Sequence, residues 1–352
     1  MSKFRVGIIG CGKPWKSEGA TGFGMSHAHA EGYSQSPNAK IVALADIVEE
    51  NAKAFQEVRG GDAIYTSYQD MLATENLDIV SISTWPHMHA QMVIDCAEAG
   101  VKAVHCEKPM APTYGECKRM IKACQASGTQ LTFNHQRRFG APYVKAKELI
   151  DEGAIGDIVR MEATCPDLFD WGTHWFDMLN KFNGEGEVEW VIGQIDMRNH
   201  RTVFGVVLEG HGISQFRYKN GVMGVLASGT GSGNKHLSIT VHGTDGTIEI
   251  GHSEEVPLRM WGKGQSEWTS VEVSEGMHDM DAVAMGVVDL VDALKAGRKP
   301  ELSGDKAFRA TEMIFATYES SRRRARVDLP LEVDDSPLHA MLDAGDLVIT
   351  EL

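Results

Sequence analysis

The sequence predicts an α/β protein in two parts: a doubly wound parallel sheet, then an α+β domain on a large, mostly antiparallel sheet. Three observations predict it. In the first third, short apolar runs alternate with helical patterns. After about Phe139 the alternation gives way to longer strands joined by hairpin signals. And 352 residues suffice for two domains of ordinary size. We read residues 1–135 as the first domain and 136–330 as the second. Residues 331–352 read as an acidic tail that wraps a neighbour or hangs free.

The first domain's strands are Arg5 to Ile9, Lys40 to Asp46, Leu77 to Ser83 and Val101 to Cys106. Helical patterns lie between and after them, from Ile47 to Val58, His87 to Ala99 and Thr113 to Ala126, with Gly100 and Gly128 where C-terminal caps belong. Near-continuous apolar strands between helices mean a parallel sheet covered on both faces. In the second domain, Pro142 to Ile150 reads as a helix stopped near Gly153. Strands from Val188 onward carry two-residue hairpin turns at Tyr218-Lys-Asn-Gly-Val222 and Thr244-Asp-Gly-Thr247. Helices over about Asp279 to Lys295 and Ser303 to Arg324 follow.

Composition narrows the function. With 42% hydrophobic and 24% charged residues, this is an ordinary globular chain. Thirty-four basic against 49 acidic residues leave a net charge of −15, which argues against a nucleic-acid partner. The run Arg322-Arg323-Arg324 reads as a solvated helix end. No apolar span of 18 residues predicts a membrane helix. The chain opens Met1-Ser2-Lys3 and goes straight into a strand, so we expect no signal peptide and a cytoplasmic protein. The six cysteines show neither C-x-x-C nor metal spacing, and the pairs His27/His29 and His87/His89 lack helical ligand spacing, so no metal is expected.

The first chemical signal is Val6-Gly-Ile-Ile-Gly10-Cys11-Gly12, a strand running into G-x-G. Glycines there allow a tight turn and close approach to a pyrophosphate held by the next helix N-terminus. The third glycine is displaced, because Lys13 to Phe23 reads as an insertion of about eleven residues. Removing it brings Gly24 or Ser26 to the helix start. Asp46 then falls about 22 residues after Gly24, near the offset of ~20 at which a carboxylate takes the ribose hydroxyls. That pattern predicts a Rossmann domain binding NAD in preference to NADP. Asp46 reads equally as an N-cap of the following helix.

The second signal is Cys106-Glu107-Lys108-Pro109. Lys108 stands where a strand has stopped and a helix has not begun, the ligand crevice of a doubly wound sheet. A lysine there is a candidate electrophile or proton carrier. The third is Asp167-Leu-Phe-Asp170-Trp-Gly-Thr-His174-Trp-Phe-Asp177. On a helix, Asp170, His174 and Asp177 share one face, and a carboxylate beside a histidine suits it to act as a general base. Phe169, Trp171 and Trp175 read either as core or as sugar-stacking surfaces.

In these pieces the chain resembles the glucose–fructose oxidoreductase / inositol dehydrogenase / MocA family, from Phe4 to about Pro330. The marks are Gly10-Cys11-Gly12, Ser83-Thr84-Trp85-Pro86-His87 with His89-Ala90, Cys106-Glu107-Lys108-Pro109, Asn134 to Phe139, and Asp170-x-Gly172-x-His174-x-x-Asp177. The resemblance implies a Rossmann domain plus an open-faced sheet domain, NAD(P) in the crevice, and oxidation of a ring hydroxyl on a sugar, glycoside or cyclitol. It implies Lys108, Asp170 and His174 as the catalytic set. It assigns the cofactor to Gly10, Gly12, Lys13, Asp46, Thr84, Trp85, His87, Glu107 and Lys108, and the substrate to Arg137, Trp171, Trp175 and Asp177. Two departures stand out. The inserted loop puts Lys13, Lys16 or Trp15 within reach of cofactor or substrate. The segment from Ala163 to Asp170 is short and lacks a glycine pair. Two other functions fit the same residues: a glycoside hydrolase or lyase working by transient oxidation on bound NAD, and a non-catalytic NAD-sensing binder. A homodimer or homotetramer is expected, because a sheet face carrying Val206, Phe216, Val222 and Val225 should not be left to water.

Overall fold

The structure, a computed structural model, describes residues 3–14, 16–20, 22–229, 238–274, 276–277 and 280–350. The chain divides into two compact units. The first holds Met1–Pro112, Glu116–Gln136 and Met280–Ala307; the second holds Thr113–Gly115, Arg137–Asp279 and Phe308–Leu352.

The first stretch forms β1 (Phe4–Ile9), α1 (Met25–Gln35), β2 (Ala39–Ala45), α2 (Glu49–Arg59), β3 (Ala63–Tyr65), α3 (Tyr68–Thr74), β4 (Ile79–Ile82), α4 (Pro86–Glu98), β5 (Ala103–Cys106), α5 (Tyr114–Ser127) and β6 (Gln130–Phe133). The six strands are all parallel, in the order β3-β2-β1-β4-β5-β6. Their runs are continuous rather than alternating because both faces are buried, as at Val6, Ile8, Val80, Ile82 and Val104. The order reverses direction between β1 and β4. The loops leaving those two strands therefore diverge, and a crevice opens between them at the carboxyl ends.

The second stretch forms α6 (Ala141–Asp151), β7 (Ile158–Cys165), α7 (Gly172–Phe182), β8 (Val188–Asp196), β9 (Arg201–Val203), β10 (Val206–Leu208), β11 (His211–Tyr218), β12 (Met223–Gly229), β13 (Ser238–Gly243), β14 (Gly246–Ile250), β15 (Leu258–Gly262) and β16 (Thr269–Ser270). With β17 (Val327–Asp328) from the chain's end, they build a nine-stranded sheet, β16-β15-β14-β13-β7-β12-β11-β8-β17, with β9 and β10 paired separately. Every pairing in the large sheet is antiparallel except β7 with β12. Period-two alternation is plain in β11, where Ser214, Phe216 and Tyr218 are buried and Ile213, Gln215 and Arg217 are exposed. The face left open therefore carries Ile192, Ile213 and Val225, which share it through their register with Gln215 and Gln194. This corrects the expected set: Phe216 is buried on the opposite face against Phe176, and Val206 and Val222 are also buried. The β11–β12 hairpin is corrected too. Tyr218 N–H donates to the Val222 carbonyl at 2.9 Å and its own carbonyl accepts from Gly221, so its loop is the three residues Lys219-Asn220-Gly221, with Gly221 at φ 94° in the bulge position.

The end of the chain forms α8 (Asp281–Ala296), α9 (Gly304–Arg323) and α10 (Pro337–Ala344). α8 was expected in the second domain but packs in the first unit, where Val287, Leu290 and Val291 join Ala30 and Tyr33 of α1 in one core. Gly32 permits that approach, since a Cβ there would lie 2.6 Å from Val287 Cβ and 2.7 Å from the Ala284 carbonyl. The periodicity of α8 announces an apolar stripe but not what the stripe packs against. The tail does not hang free. Leu331 N–H donates to Glu312 and Gly115 N–H to the Asp334 carbonyl, Ser336 caps α10, and Leu338 and Met341 are buried.

Candidate functional site

In the first unit, β1 runs into Gly10 at φ 82°, where a Cβ would lie 2.9 Å from the Ser83 carbonyl oxygen. Gly12, at φ 56°, faces open space. Its N–H donates to Asp46 Oδ2 at 3.0 Å, while Asp46 Oδ1 accepts from Val48 N–H at 2.9 Å. Asp46 thus ties the loop after β1 to the end of β2. It is not the N-cap of α2, a position held by Val48. α1 starts after Gly24, whose φ of 62° is left-handed, and Ser26 hydroxyl donates back to the Cys11 carbonyl at 2.5 Å. A small-residue turn leading into a helix start and a carboxylate at the end of β2 fit the diphosphate and ribose of a dinucleotide. In the inserted loop, Lys13 Nζ donates to the Glu18 carbonyl at 3.0 Å; Trp15 lies outside the described residues.

The loop after β4 places Thr84 half-buried, with Trp85 and His87 exposed at the start of α4. His89, one turn in, is fully buried. Its Nδ1 lies 2.9 Å from the Pro109 carbonyl and its Nε2 3.1 Å from the Thr84 carbonyl, so it holds the β4 loop to the loop that carries Lys108. Burial lowers the His89 pKa, opposed by those carbonyls. Lys108 precedes a cis peptide bond to Pro109 and is half-buried. Glu107 was expected at the cofactor. It is instead buried, accepting from His29 Nε2 at 2.9 Å and Asn134 Nδ2 at 2.8 Å. Burial raises its pKa, but His29, Lys108 and Asn134 outweigh that and hold the carboxyl below its ordinary range. Its role is to lock the loop from beneath.

In the second unit, α7 is buried almost all round: Trp175, Phe176, Met178, Leu179 and Phe182 are all core. Each such side chain contributes roughly 1.5–3 kcal/mol, so the backbone that carries His174 is firmly held. The expected helix, however, starts two residues late. Asp170 lies in the turn before α7, and only His174 and Asp177 are on it. Asp170 and His174 are both buried.

Three of the expected substrate residues are placed differently from one another. Trp171 is half-buried at the helix start. Trp175 is fully buried and donates its indole N–H to the Ser238 carbonyl at 3.2 Å, so it is core and not a stacking surface. Arg137 lies over both rings, 5.5 Å from the Trp171 centroid and 4.5 Å from that of Trp175. Asp177 is likewise corrected. Both its oxygens accept from the buried Arg138, at 2.7 Å from Nε and 2.8 Å from the second terminal nitrogen, and Arg138 also reaches Glu185 at 2.6 Å. That pair fixes α7 rather than meeting a substrate.

Asp167, Arg201, Glu209, Ser228 and Tyr318, all outside the expected set, converge on the turn before α7. Asp167 Oδ1 accepts from the N–H groups of Asp170 at 2.6 Å and Trp171 at 3.1 Å, and its carbonyl accepts from Gly172 at 2.8 Å. Arg201 pairs with its other oxygen. Glu209 accepts from Leu168 N–H, Ser228 hydroxyl and Tyr318 hydroxyl. Asp167, three residues before Asp170, carried a capping signal in the sequence. Glu209, forty residues on, carried none. No three His, Cys, Asp or Glu side chains group to hold a metal among the described residues.

Comparison with known proteins accords with this arrangement. Residues 4–135 match the family model described as "Oxidoreductase family, NAD-binding Rossmann fold", and residues 159–329 match its "C-terminal alpha/beta domain". Similar proteins include a myo-inositol 2-dehydrogenase of Thermotoga maritima, 24% identical over 92% of this chain and 98% of its own. A D-apiose dehydrogenase of Paraburkholderia graminis is 23% identical over 98% and 95%. Among solved structures, a levoglucosan dehydrogenase in complex with NADH and levoglucosan has the same fold, with TM-score 0.79 at 21% identity over 94% of this chain and 100% of the other. The WlbA dehydrogenase from Bordetella pertussis gives 0.74 at 24% identity over 94% and 100%. With both of its domains matched in order, this chain belongs to the GFO/IDH/MocA family of oxidoreductases, and its first domain is the family's NAD-binding Rossmann fold.

Proposed function

We propose that the protein oxidises a secondary ring hydroxyl of a sugar, glycoside or cyclitol. The observation that carries this reading is the buried Asp170–His174 turn in an NAD-binding oxidoreductase chain. A titratable ring and a carboxylate carried on a turn whose backbone N–H is held by Asp167 suit proton transfer from a hydroxyl. NAD supplies the hydride acceptor when bound. Gly10, Gly12, Asp46, Thr84, Trp85 and His87 are the residues that would hold it, with Lys13 as a further contact. His174 takes the hydroxyl proton, Asp170 orients and tunes it, and Lys108 stabilises the developing negative charge on oxygen. Trp171 offers an apolar face to the ring carbons, ordered by Arg137. The similar myo-inositol and D-apiose dehydrogenases support a polyhydroxylated substrate. The open sheet face with Ile192, Ile213 and Val225 supports assembly as a homodimer or homotetramer.

The test is an initial-rate screen of cyclitols, pyranoses and glycosides against keto acids and amino acids, following NADH and identifying products by mass spectrometry. Stoichiometric NADH with a product two mass units lighter supports the reading. Turnover of keto acids or amino acids alone refutes it. Cleavage of a glycoside without net NADH would replace it with redox-assisted hydrolysis.

A further inference from the structure

Resting on the proposed role of α7, we infer that Asp167 is a positioning residue for proton transfer, setting the turn that carries Asp170 and starts the helix of His174. Three consecutive N–H groups, of Asp170, Trp171 and Gly172, are all taken by this one residue: two by its carboxylate and one by its carbonyl. Trp171, formally the first cap of α7, provides no side-chain hydrogen bond to the helix. Asp167 does that work from outside. Gly172 lets the chain close over it, because a Cβ there would lie 3.0 Å from the Asp167 carbonyl oxygen.

Asp167 is itself held from three sides. Cys165 thiol lies 3.1 Å from its carbonyl, Arg201 pairs with its second carboxylate oxygen, and the next residue, Leu168, donates its N–H to the fully buried Glu209. Glu209 is fixed in turn by Ser228 of β12 and Tyr318 of α9. Gly212 of β11 lies under Leu168, with a Cβ there only 2.8 Å from Leu168 Cδ1. The frame runs from β11, β12 and α9 through two buried carboxyls into the backbone of the Asp170 turn. Neither carboxyl is assigned to substrate or cofactor. Burying two acids side by side is costly, and burial together with the charge of Asp170 raises the Asp167 pKa. A catalytic turn that must stay fixed to within a fraction of an ångström gives that cost a purpose.

The test compares Asp167→Ala, Asp167→Asn and His174→Ala in the full-length protein, each normalised by NADH titration. Asp167→Ala should lower kcat on the order of 10²-fold, as ångström-scale misplacement does, with substrate KM and NADH affinity changed far less. Asp167→Asn keeps an acceptor oxygen and should recover most of the loss. Should the alanine variant not fold, Asp167→Thr and Asp167→Val, alike in shape and differing by one acceptor oxygen, replace it, with threonine the more active. Equal kcat in the acceptor and non-acceptor variants overturns the inference. If His174→Ala retains wild-type kcat, the reading of α7 as the proton-transfer site fails first, and the inference falls with it. If His174→Ala loses activity and Asp167→Ala does not, the inference alone is overturned.

Discussion

Replacing Glu209 by glutamine should change how stability depends on pH, in a direction the structure fixes. Glu209 is completely buried, and burial together with the nearby charge of Asp167 pushes its carboxyl up from 4.5 to about 7. The folded protein therefore holds this proton more tightly than the unfolded chain does. Its contribution to stability is fully present below pH ~4.5 and is lost as pH rises through about 7, where the native state must pay to ionise it. That interval, at ~1.4 kcal/mol per pH unit, corresponds to about 3 kcal/mol. Glutamine keeps an acceptor for Leu168 N–H and Ser228 hydroxyl and cannot ionise, and Tyr318 hydroxyl can turn to accept from its amide. The assay is urea denaturation of both proteins between pH 5 and pH 8, read as the difference in unfolding free energy. Wild type should lose ground to Glu209→Gln as pH rises, with most of the change complete by about pH 7.5. A difference that stays flat, or that favours wild type with rising pH, would refute the reasoning.

Other changes have expected outcomes of their own. Arg138→Met strands the buried Asp177 and should destabilise by ~3–5 kcal/mol, visible in the same denaturation assay; a loss below about 1 kcal/mol would mean the pair is not what fixes α7. Asp46→Ser removes the negative charge beside Gly12 and should move the NADP-to-NAD ratio of kcat/KM upward by roughly tenfold, or ~1.4 kcal/mol; an unchanged ratio places cofactor choice elsewhere. Lys108→Met should cut kcat on the order of 10²-fold, the cost of losing one donor to a developing oxyanion, while NADH titration stays near wild type. Ile213→Asp puts a charge on the open sheet face and should lower the molar mass seen in light scattering; an identical mass for both proteins argues that this face is not the assembly surface.

The sequence made the first sheet legible because its strands are short apolar runs punctuated by Gly10, Gly12, Gly100 and Gly128, signals that depend only on neighbours in the chain. The same locality explains where reading failed. α8 carries an apolar stripe, but its partner α1 lies some 250 residues earlier, and no local pattern names it. The Asp170–His174 spacing suggested one helix, yet α7 starts at Gly172 and Asp170 lies in the turn before it, its N–H held by Asp167. Trp171 and Trp175 look alike as residues; only the fold separates the half-buried ring from the one sealed in the core. Asp177 and Glu107 looked like site carboxylates because their motif positions are close to chemistry. Arg138 in one case, His29 and Asn134 in the other, turn them inward.

The central claim is that His174 removes the proton of the hydroxyl being oxidised. The measurement that tests it most directly is the single-turnover rate of NADH formation by His174→Ala, on the best polyol or sugar from the screen, with NAD affinity determined in parallel. A rate lowered by about 10²–10⁴-fold at unchanged NAD affinity is the predicted result. A rate within about threefold of wild type, less than ~1 kcal/mol of barrier, would contradict it.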